Sequence, residues 1–244
     1  MKLIATRVEE LFLSETETKM SLVDHLGELR IRILISVGAL VVFSIISYVF
    51  AAEIIDVLTS PVGKELVYLA PTEAFFTQIK VSVVAGFLLA LPIIFFQVWR
   101  FVAPGLKDNE RKYLMVLAPL AYIFFLGGTS FGLFVVIPFG MRFFLSFTSA
   151  NLEAMFSLNS YISFIIRILL PFGLIFQLPL VTTILVKLGL ISSEFLKSNR
   201  KIVIVSIFVF GALLTPPDII SQTMMSLPLI LLYEGSIIIA KIIE

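Results

Sequence analysis

Acidic side chains in two segments of the sequence have the chemistry to bind a cationic ligand. In the first segment Asp24, Glu28 and Arg32 recur at four-residue intervals, which places them on one polar face of a helix. Glu28 and Arg32 have the spacing of an i,i+4 ion pair, which adds about 0.2–0.5 kcal/mol to an exposed helix. Such pairs are common, so the spacing alone favours an ordinary amphipathic helix that leads into an apolar segment.

Glu110 is the second candidate carboxylate. Pro104 and Gly105 predict a turn, and Asp108 can cap the helix that follows. Glu110 then lies in the first helical turn, where the helix dipole stabilises an anion, and this is a sufficient structural reason for it. The functional alternative is that Glu110, beside Phe101, binds a guanidinium through two parallel hydrogen bonds.

Two polar residues in the second half of the chain require partners. Gln177 precedes Pro179 within an apolar segment, and an unpaired amide in hydrocarbon is costly. We therefore expect a hydrogen bond from Gln177 to a neighbouring helix. Glutamine does not ionise, so a proton relay at this position is not expected. Asp218, which follows Pro216-Pro217, is predicted to cap the last helix.

The composition indicates what surrounds these polar groups. Of the 244 residues, 59% are hydrophobic and 14% are charged, and the mean hydropathy is +1.07. These values exclude a disordered chain, a basic nucleic-acid binder and an ordinary soluble enzyme, and they indicate a polytopic membrane protein. The chain has no cysteine, and its only histidine, His25, is interpreted as a surface or packing residue. No metal or other cofactor is expected.

Six apolar segments are predicted to form transmembrane helices in an all-α membrane protein. They cover residues 33–52, 81–99, 113–137, 162–186, 202–214 and 219–240. The last two are predicted to be short, because Pro216-Pro217 prevents one long helix. Residues 1–20 are predicted to be a cytoplasmic N-terminal tail, and residues 21–244 the membrane domain.

The basic residues predict the orientation of these helices. With the N-terminus inside, most of the 18 Lys and Arg residues fall on the inner side, and the exceptions are Lys64, Lys80, Arg142 and Arg167. Both termini are therefore expected in the cytoplasm. Glu28 and Glu110 then share the cytoplasmic edge.

Other membrane functions remain alternatives at this point. Prolines inside the predicted spans favour kinked, packed helices, although broken helices around a substrate site are typical of secondary transporters. A small-molecule permease predicts charged sites at the membrane midplane, whereas these carboxylates lie at the edge. A membrane-embedded hydrolase is disfavoured, since no span contains a pair of carboxylates.

Four motifs in sequence order resemble those of the TatC family, the integral-membrane receptor subunit of the twin-arginine protein translocase. They are HLGELR at 25–30, FVAPGL at 101–106 followed by Glu110-Arg111, FQLP at 176–179, and LTPPD at 214–218 followed by Ser221-Gln222. Each motif alone is weak. Together they extend the resemblance over about residues 20–240.

The resemblance implies a fold and a function. The fold would be a concave six-helix bundle, and the protein would be a binding and transport component rather than an enzyme. It would bind twin-arginine signal peptides of folded cargo and, in a multi-copy complex with TatA- and TatB-like single-span subunits, export that cargo with the proton-motive force. A bacterial inner membrane is the expected location, with a thylakoid membrane as the alternative.

The resemblance also implies roles for individual residues. Glu28 and Glu110 would hold the paired arginines, Phe101 would pack beside them, and Pro104 would set the loop. Further positions that belong to the family's motifs or are shared within it are Leu26, Arg30, Pro61, Arg111, Gln177, Asp218 and Gln222. Some relatives carry Glu where this chain has Gln177, so a charged role is not expected there; a polar contact with a partner helix or a hydrated site are the alternatives.

Overall fold

The computed structural model describes residues 22–60, 66–102, 108–146, 155–214 and 219–244. The predicted tail, residues 1–20, lies outside this part of the chain, as do Pro61, Pro104 and Asp218. For Glu110 and Arg111 the helical backbone is described and the side chains are not.

Every regular element in the described ranges is helical. The helices are α1 (Leu22–Val49), α2 (Ala51–Thr59), α3 (Glu73–Val102), α4 (Asp108–Phe131), α5 (Ile137–Ser146), α6 (Leu158–Ile175), α7 (Leu178–Lys187), α8 (Ser193–Ser198), α9 (Arg200–Leu214) and α10 (Ile219–Ile243). A π-helical turn, Gly132–Val136, joins α4 to α5. An isolated β-bridge pairs Val67 with Ser157. The predicted all-α class is confirmed.

Within the described residues, five helical stretches are long and apolar enough to cross a membrane. They are His25–Val49, Glu73–Val102, Pro119–Ser146, Leu158–Lys187 and Met225–Ile243. The chain is therefore a multi-pass membrane protein. The remaining predicted span falls in α9, whose 15 residues extend about 22 Å, against about 30 Å for a hydrocarbon core. A crossing by α9 stays a prediction, and α10 is longer, with 25 residues.

The third predicted span ends later than expected. The sequence predicts its end at residue 137, whereas α5 continues through Pro138 to Ser146. The N–H of Ile137 bonds to the carbonyl of Gly132, which is the wide spacing of a π turn. The π turn changes the hydrogen-bond register immediately before Pro138, which has no N–H to donate. The helix therefore passes a proline at which a regular α-helix would be expected to break.

The fourth predicted span is divided in two. α6 ends at Ile175 and α7 begins at Leu178, so that Gln177 lies in the break. Pro179 occupies the first turn of α7, where a missing N–H leaves no hydrogen bond unmade. The break leaves the side chain of Gln177 at the junction of two helices.

α1 packs antiparallel along α3 over much of its length. Arg32 contacts Gln97 near the start of α1, and Ser44 faces Gly86 near its other end. A Cβ atom on Gly86 would overlap the backbone of Ser44, so this close approach requires glycine. Small residues permit such contact between membrane helices, whose association depends on packing rather than on a hydrophobic driving force.

α6 supplies the centre of the hydrophobic core. Ile162, Ile165, Ile168 and Phe172 are each at most 1% exposed and follow one face of the helix. α6 packs against α3 and α4, and Gly128 of α4 lies directly against the carbonyl of Phe172. The core therefore joins α3 and α4, the helices that precede and follow residues 103–107.

The C-terminal helices form a second packed region. α10 packs on α7 and α9, and the Tyr233 hydroxyl donates to the carbonyl of Leu196 in α8 at 2.7 Å. Arg200 of α9 pairs with Glu234 of α10 at 2.7 Å. The backbone N–H of Ser193 donates to Glu244 at 2.7 Å, and its hydroxyl donates to the same carboxylate. These two hydrogen bonds hold the pKa of Glu244 below its ordinary value.

Candidate ligand-binding site at the shared end of α1 and α3

The first turns of α1 and the last turns of α3 bring together residues from two of the motif segments. Glu28 and Arg32 lie on α1, and Gln97 and Phe101 lie on α3. Positions four apart on a helix share one face. Glu28 and Arg32 therefore lie on one face of α1, Gln97 and Phe101 lie on one face of α3, and Arg32 contacts Gln97 where the two helices meet. The antiparallel packing of α1 and α3 is what places these side chains side by side.

Only one of the two carboxylate oxygens of Glu28 accepts hydrogen bonds from described residues. Its Oε1 atom accepts a hydrogen bond from Nε of Arg32 at 3.1 Å and a second one from Nη2 of the same guanidinium. The two side chains are only 19% and 12% exposed. The Oε2 atom of Glu28 is buried and has no hydrogen-bond partner among the described residues. A buried acceptor left without a donor costs about 1–3 kcal/mol, so a ligand that donates to it gains that amount.

Gln97 fixes the other side of the guanidinium. Its Oε1 atom accepts a hydrogen bond from Nη1 of Arg32 at 3.2 Å. Gln97 is itself buried in the α1–α3 contact. Arg32 is therefore held from both helices, and it in turn holds the Glu28 carboxylate in one orientation.

An aromatic pair borders the free carboxylate oxygen. The His25 and Phe101 rings are stacked with their centroids 4.2 Å apart and their planes 13° from parallel. Nδ1 of His25 lies 3.8 Å from Oε2 of Glu28, which is beyond hydrogen-bond distance. The free oxygen thus lies beside a flat aromatic pair, an environment suited to a planar cation such as a guanidinium.

The other predicted residues of the first and second motifs lie around this cluster. Leu26 is 64% exposed and Arg30 is exposed, so neither contributes to the contact between α1 and α3. Glu110 and Arg111 are in the first turn of α4, a short distance along the chain from Phe101. Their side chains, like Pro104, lie outside the described residues.

Gln177 and Gln222 have structural partners elsewhere. Nε2 of Gln177 donates to the carbonyl of Ala121 in α4 at 3.0 Å, which is the interhelical bond that the sequence predicts. Nε2 of Gln222 donates to the carbonyl of Phe208 at 2.9 Å and so links α10 to α9. Neither belongs to the site at α1 and α3, and Pro61 and Asp218 lie outside the described residues.

Sequence reasoning misses two members of the site. Gln97 is 65 residues from Arg32 in the chain, and the sequence predicts His25 as a surface or packing residue without predicting that it packs on Phe101. The available signal for Gln97 is an amide in an apolar helix, the same signal that singles out Gln177. In the described part of the chain no group of three or more His, Asp or Glu residues could hold a metal ion.

Comparison with known proteins decides the family. The family model described as "Sec-independent protein translocase protein (TatC)" matches residues 24–228. The chain belongs to the TatC family. TatC proteins are components of a protein translocase in the membrane and are not enzymes.

Individual TatC relatives match over nearly their whole length. The TatC protein of Carboxydothermus hydrogenoformans is 45% identical over 92% of this chain and 94% of its own. That of Desulforapulum autotrophicum is 43% identical over 94% of this chain and 87% of its own. A crystal structure titled "Twin Arginine Translocase Receptor- TatC" matches with a TM-score of 0.79 at 38% identity, covering 90% of this chain and 99% of that one.

Proposed function

We propose that this TatC-family chain is the receptor for twin-arginine signal peptides and a core subunit of the machinery that exports folded proteins with the proton-motive force. One observation carries the proposal: the buried, unpartnered Oε2 atom of Glu28 beside the His25–Phe101 pair. A guanidinium can donate to this oxygen while it lies against the aromatic rings.

Two arginines need two carboxylates. Glu28 supplies one, and Glu110 supplies the other from the first turn of α4, where the helix dipole favours an anion. Phe101 lies in the last turn of α3, and Pro104 follows three residues later in the sequence. Arg111 follows Glu110 in the sequence and Arg30 is exposed on α1, and both belong to the excess of basic residues in the segments assigned to the inner side.

Arg32 has a defined role in this recognition. It occupies Oε1 of Glu28 and leaves Oε2 for the ligand, so the carboxylate would bridge one guanidinium of the protein and one of the signal peptide. Because Arg32 is also held by Gln97, Glu28 is oriented before the ligand arrives. Preorganisation of this kind lowers the entropy cost of binding.

The distribution of Lys and Arg supports an orientation with both termini in the cytoplasm and the site at the cytoplasmic face. The expected membrane is the bacterial inner membrane. We include α9 as a sixth, short crossing within a concave bundle. A helix this short requires local thinning of the bilayer or cover by a neighbouring helix.

The partner subunits are TatA- and TatB-like single-span proteins in a multi-copy complex. We place their docking edge at α9 and α10. α9 packs on α10 and α8, and because it is shorter than the hydrocarbon core, a neighbouring partner helix is needed to shield its ends. Gln222 bridges α10 to α9, and Gln177 places a polar group in the break between α6 and α7. In the sequence, Asp218 and the two prolines before it stand between the two docking helices.

The experiment that tests the receptor function is equilibrium binding of a labelled twin-arginine signal peptide to the purified full chain in detergent. A matched peptide with Lys-Lys in place of Arg-Arg is expected to bind at least about tenfold more weakly, because an ammonium lacks the planar fork of donors. Equal or tighter binding of the Lys-Lys peptide would refute guanidinium recognition at this site.

A further inference from the structure

A cation lies inside the fourth span without a counter-ion among the residues that the structure describes. Arg167 is the tenth residue of α6, is exposed, and has no hydrogen bond or ion pair with any described residue. A charged side chain within a membrane span is costly and marks a functional site by default. The surroundings of Arg167 therefore indicate what it binds.

A second cation lies on the same side of the bundle. Nζ of Lys80, on α3, donates to Oδ1 of Asn159 at 2.5 Å and to Oγ of Ser163 at 3.4 Å, both on α6. Ser163 and Arg167 are four residues apart, so Arg167 lies one helical turn further along the same face. Lys80, Asn159, Ser163 and Arg167 form one polar cluster across α3 and α6, which we call the Lys80–Arg167 cluster.

The side chains of both cations lean toward the same end of the bundle. Glu73, the first residue of α3, bonds to Ser157 and to the backbone of Asn159 at the start of α6, so the two helices begin together. Side chains on an α-helix tilt toward its N-terminus. Lys80 is seven residues into α3, about 10 Å from its first residue. Both side chains can reach toward the interface at that end by snorkelling.

The carboxylate of Glu73, which binds the start of α6, does not neutralise the cluster. Glu73 is only 8% exposed. Its oxygens accept hydrogen bonds from the backbone N–H groups of Leu69 and Asn159 and from the Ser157 hydroxyl. The two cations thus give the cluster an excess of positive charge, since Glu73 supplies one negative charge in a buried position. The open side of Lys80 and Arg167 faces the exposed surface of the bundle.

We propose that the Lys80–Arg167 cluster binds the phosphate group of an anionic phospholipid in the outer leaflet. A phosphate accepts two hydrogen bonds from a guanidinium and further ones from an ammonium and a hydroxyl, which are the donors present here. The cluster lies on the outer half of α3 and α6 in the orientation proposed above, at a depth that long basic side chains reach from the headgroup region. The proposal uses that orientation and is independent of signal-peptide recognition.

The test is native mass spectrometry of the purified full chain with phosphatidylglycerol, and with phosphatidylcholine of the same acyl chains. We expect preferential retention of phosphatidylglycerol, and a loss of about fivefold in its affinity in Arg167→Gln, the size expected for one basic residue near a lipid phosphate. Arg167 makes no described contact within the protein, so this variant should fold normally. Lys80→Arg should retain binding, since it keeps the charge.

Arg142→Gln is the matched control. Arg142 is exposed on α5, and its substitution removes one positive charge from the same, outer side of the membrane. It should leave phosphatidylglycerol retention unchanged; an equal loss would show that general surface charge holds the lipid and would overturn the proposal. Inorganic phosphate that displaces phosphatidylglycerol at equal concentration would overturn the lipid assignment. Unchanged retention of phosphatidylglycerol in Arg167→Gln would reject the lipid assignment.

Discussion

Arg32 pairs with one carboxylate oxygen of Glu28, and the other oxygen is buried without a donor in the described part of the chain. An exposed i,i+4 pair contributes little, but these two side chains are largely shielded and Gln97 holds the arginine from α3. The pair is therefore asymmetric, with one protein guanidinium already bound and one acceptor open. A ligand guanidinium would complete the coordination of Glu28 without displacing Arg32.

Removal of either proposed carboxylate should weaken signal-peptide binding. Glu28→Gln and Glu110→Gln are each expected to reduce affinity for a twin-arginine peptide at least about tenfold, since a hydrogen bond to a charged group contributes about 1.5–3 kcal/mol. Fluorescence anisotropy with a labelled peptide measures this. Glu194→Gln is the control, because Glu194 is an exposed carboxylate on α8, away from α1 and α3. Wild-type affinity in either variant would remove that residue from the site.

The sequence predicts local features of this site and misses its long-range ones. The spacing of Glu28 and Arg32 is sufficient to predict their ion pair, because positions four apart on a helix are neighbours. Gln97 and Phe101 reach the same place only through the packing of α3 on α1, and no spacing in the chain encodes that contact. The motif resemblance supplies the link between the two segments that periodicity does not.

For the fold too, the sequence predicts local features better than contacts between distant segments. Hydropathy identifies the apolar segments, and the amide of Gln177 predicts a partner helix, which is α4. The helix ends are less predictable, because the third span is predicted to end at residue 137, whereas the π turn at Gly132–Val136 is followed by a helix that continues to Ser146. The Lys80–Asn159 contact is likewise formed by tertiary packing between residues 79 apart.

The close approach of α1 and α3 should be sensitive to one methyl group. Gly86→Ala places a Cβ atom into the backbone of Ser44, and overpacking of this kind typically costs about 1–3 kcal/mol. We expect a lower melting temperature in detergent for this variant. Gly38→Ala on α1 is the matched control, since nothing lies within 4 Å of its Cβ position. Equal stability of the two variants would mean that the helices separate at little cost.

Glu244 should make stability depend on pH in the acidic range. The Ser193 hydrogen bonds lower its pKa in the folded state from the ordinary 4.5. Stabilisation by Glu244 is therefore present above pH 4.5 and is lost as the pH falls through the lowered folded-state value. Glu244→Gln should reduce the melting temperature at pH 7, and its difference from wild type should shrink on acidification. Asp56→Asn, which removes an exposed carboxylate elsewhere in the chain, is the control for a general effect of losing one acidic group.

Accessibility measurements test the orientation. In sealed cells, a protease site at Lys64 should be cut from outside, whereas tags at residues 1 and 244 should be protected until the membrane is opened. This pattern follows from the excess of Lys and Arg on the inner side. Cleavage of the terminal tags in intact cells would invert the orientation and move the Glu28 site to the opposite face.

The length of α9 should matter for transport and not for recognition. Its 15 residues leave about 8 Å of a typical hydrocarbon core uncovered. If partner helices dock where the bilayer is thinned, four Leu residues inserted after Leu213 should relieve the mismatch and impair export. Signal-peptide binding should be unchanged, because the Glu28 site is formed by α1 and α3.

The control for this insertion is a Gly-Ser-Gly-Ser segment of equal length between residues 150 and 151, in a predicted loop. It should leave both activities intact. Export of a twin-arginine reporter and peptide affinity are measured on the same preparations, so that a folding defect is recognised by loss of both. Normal export by the lengthened protein, with normal binding, would show that the short helix is a consequence of its packing on α10 and α8. The docking edge would then have to be sought on another face of the bundle.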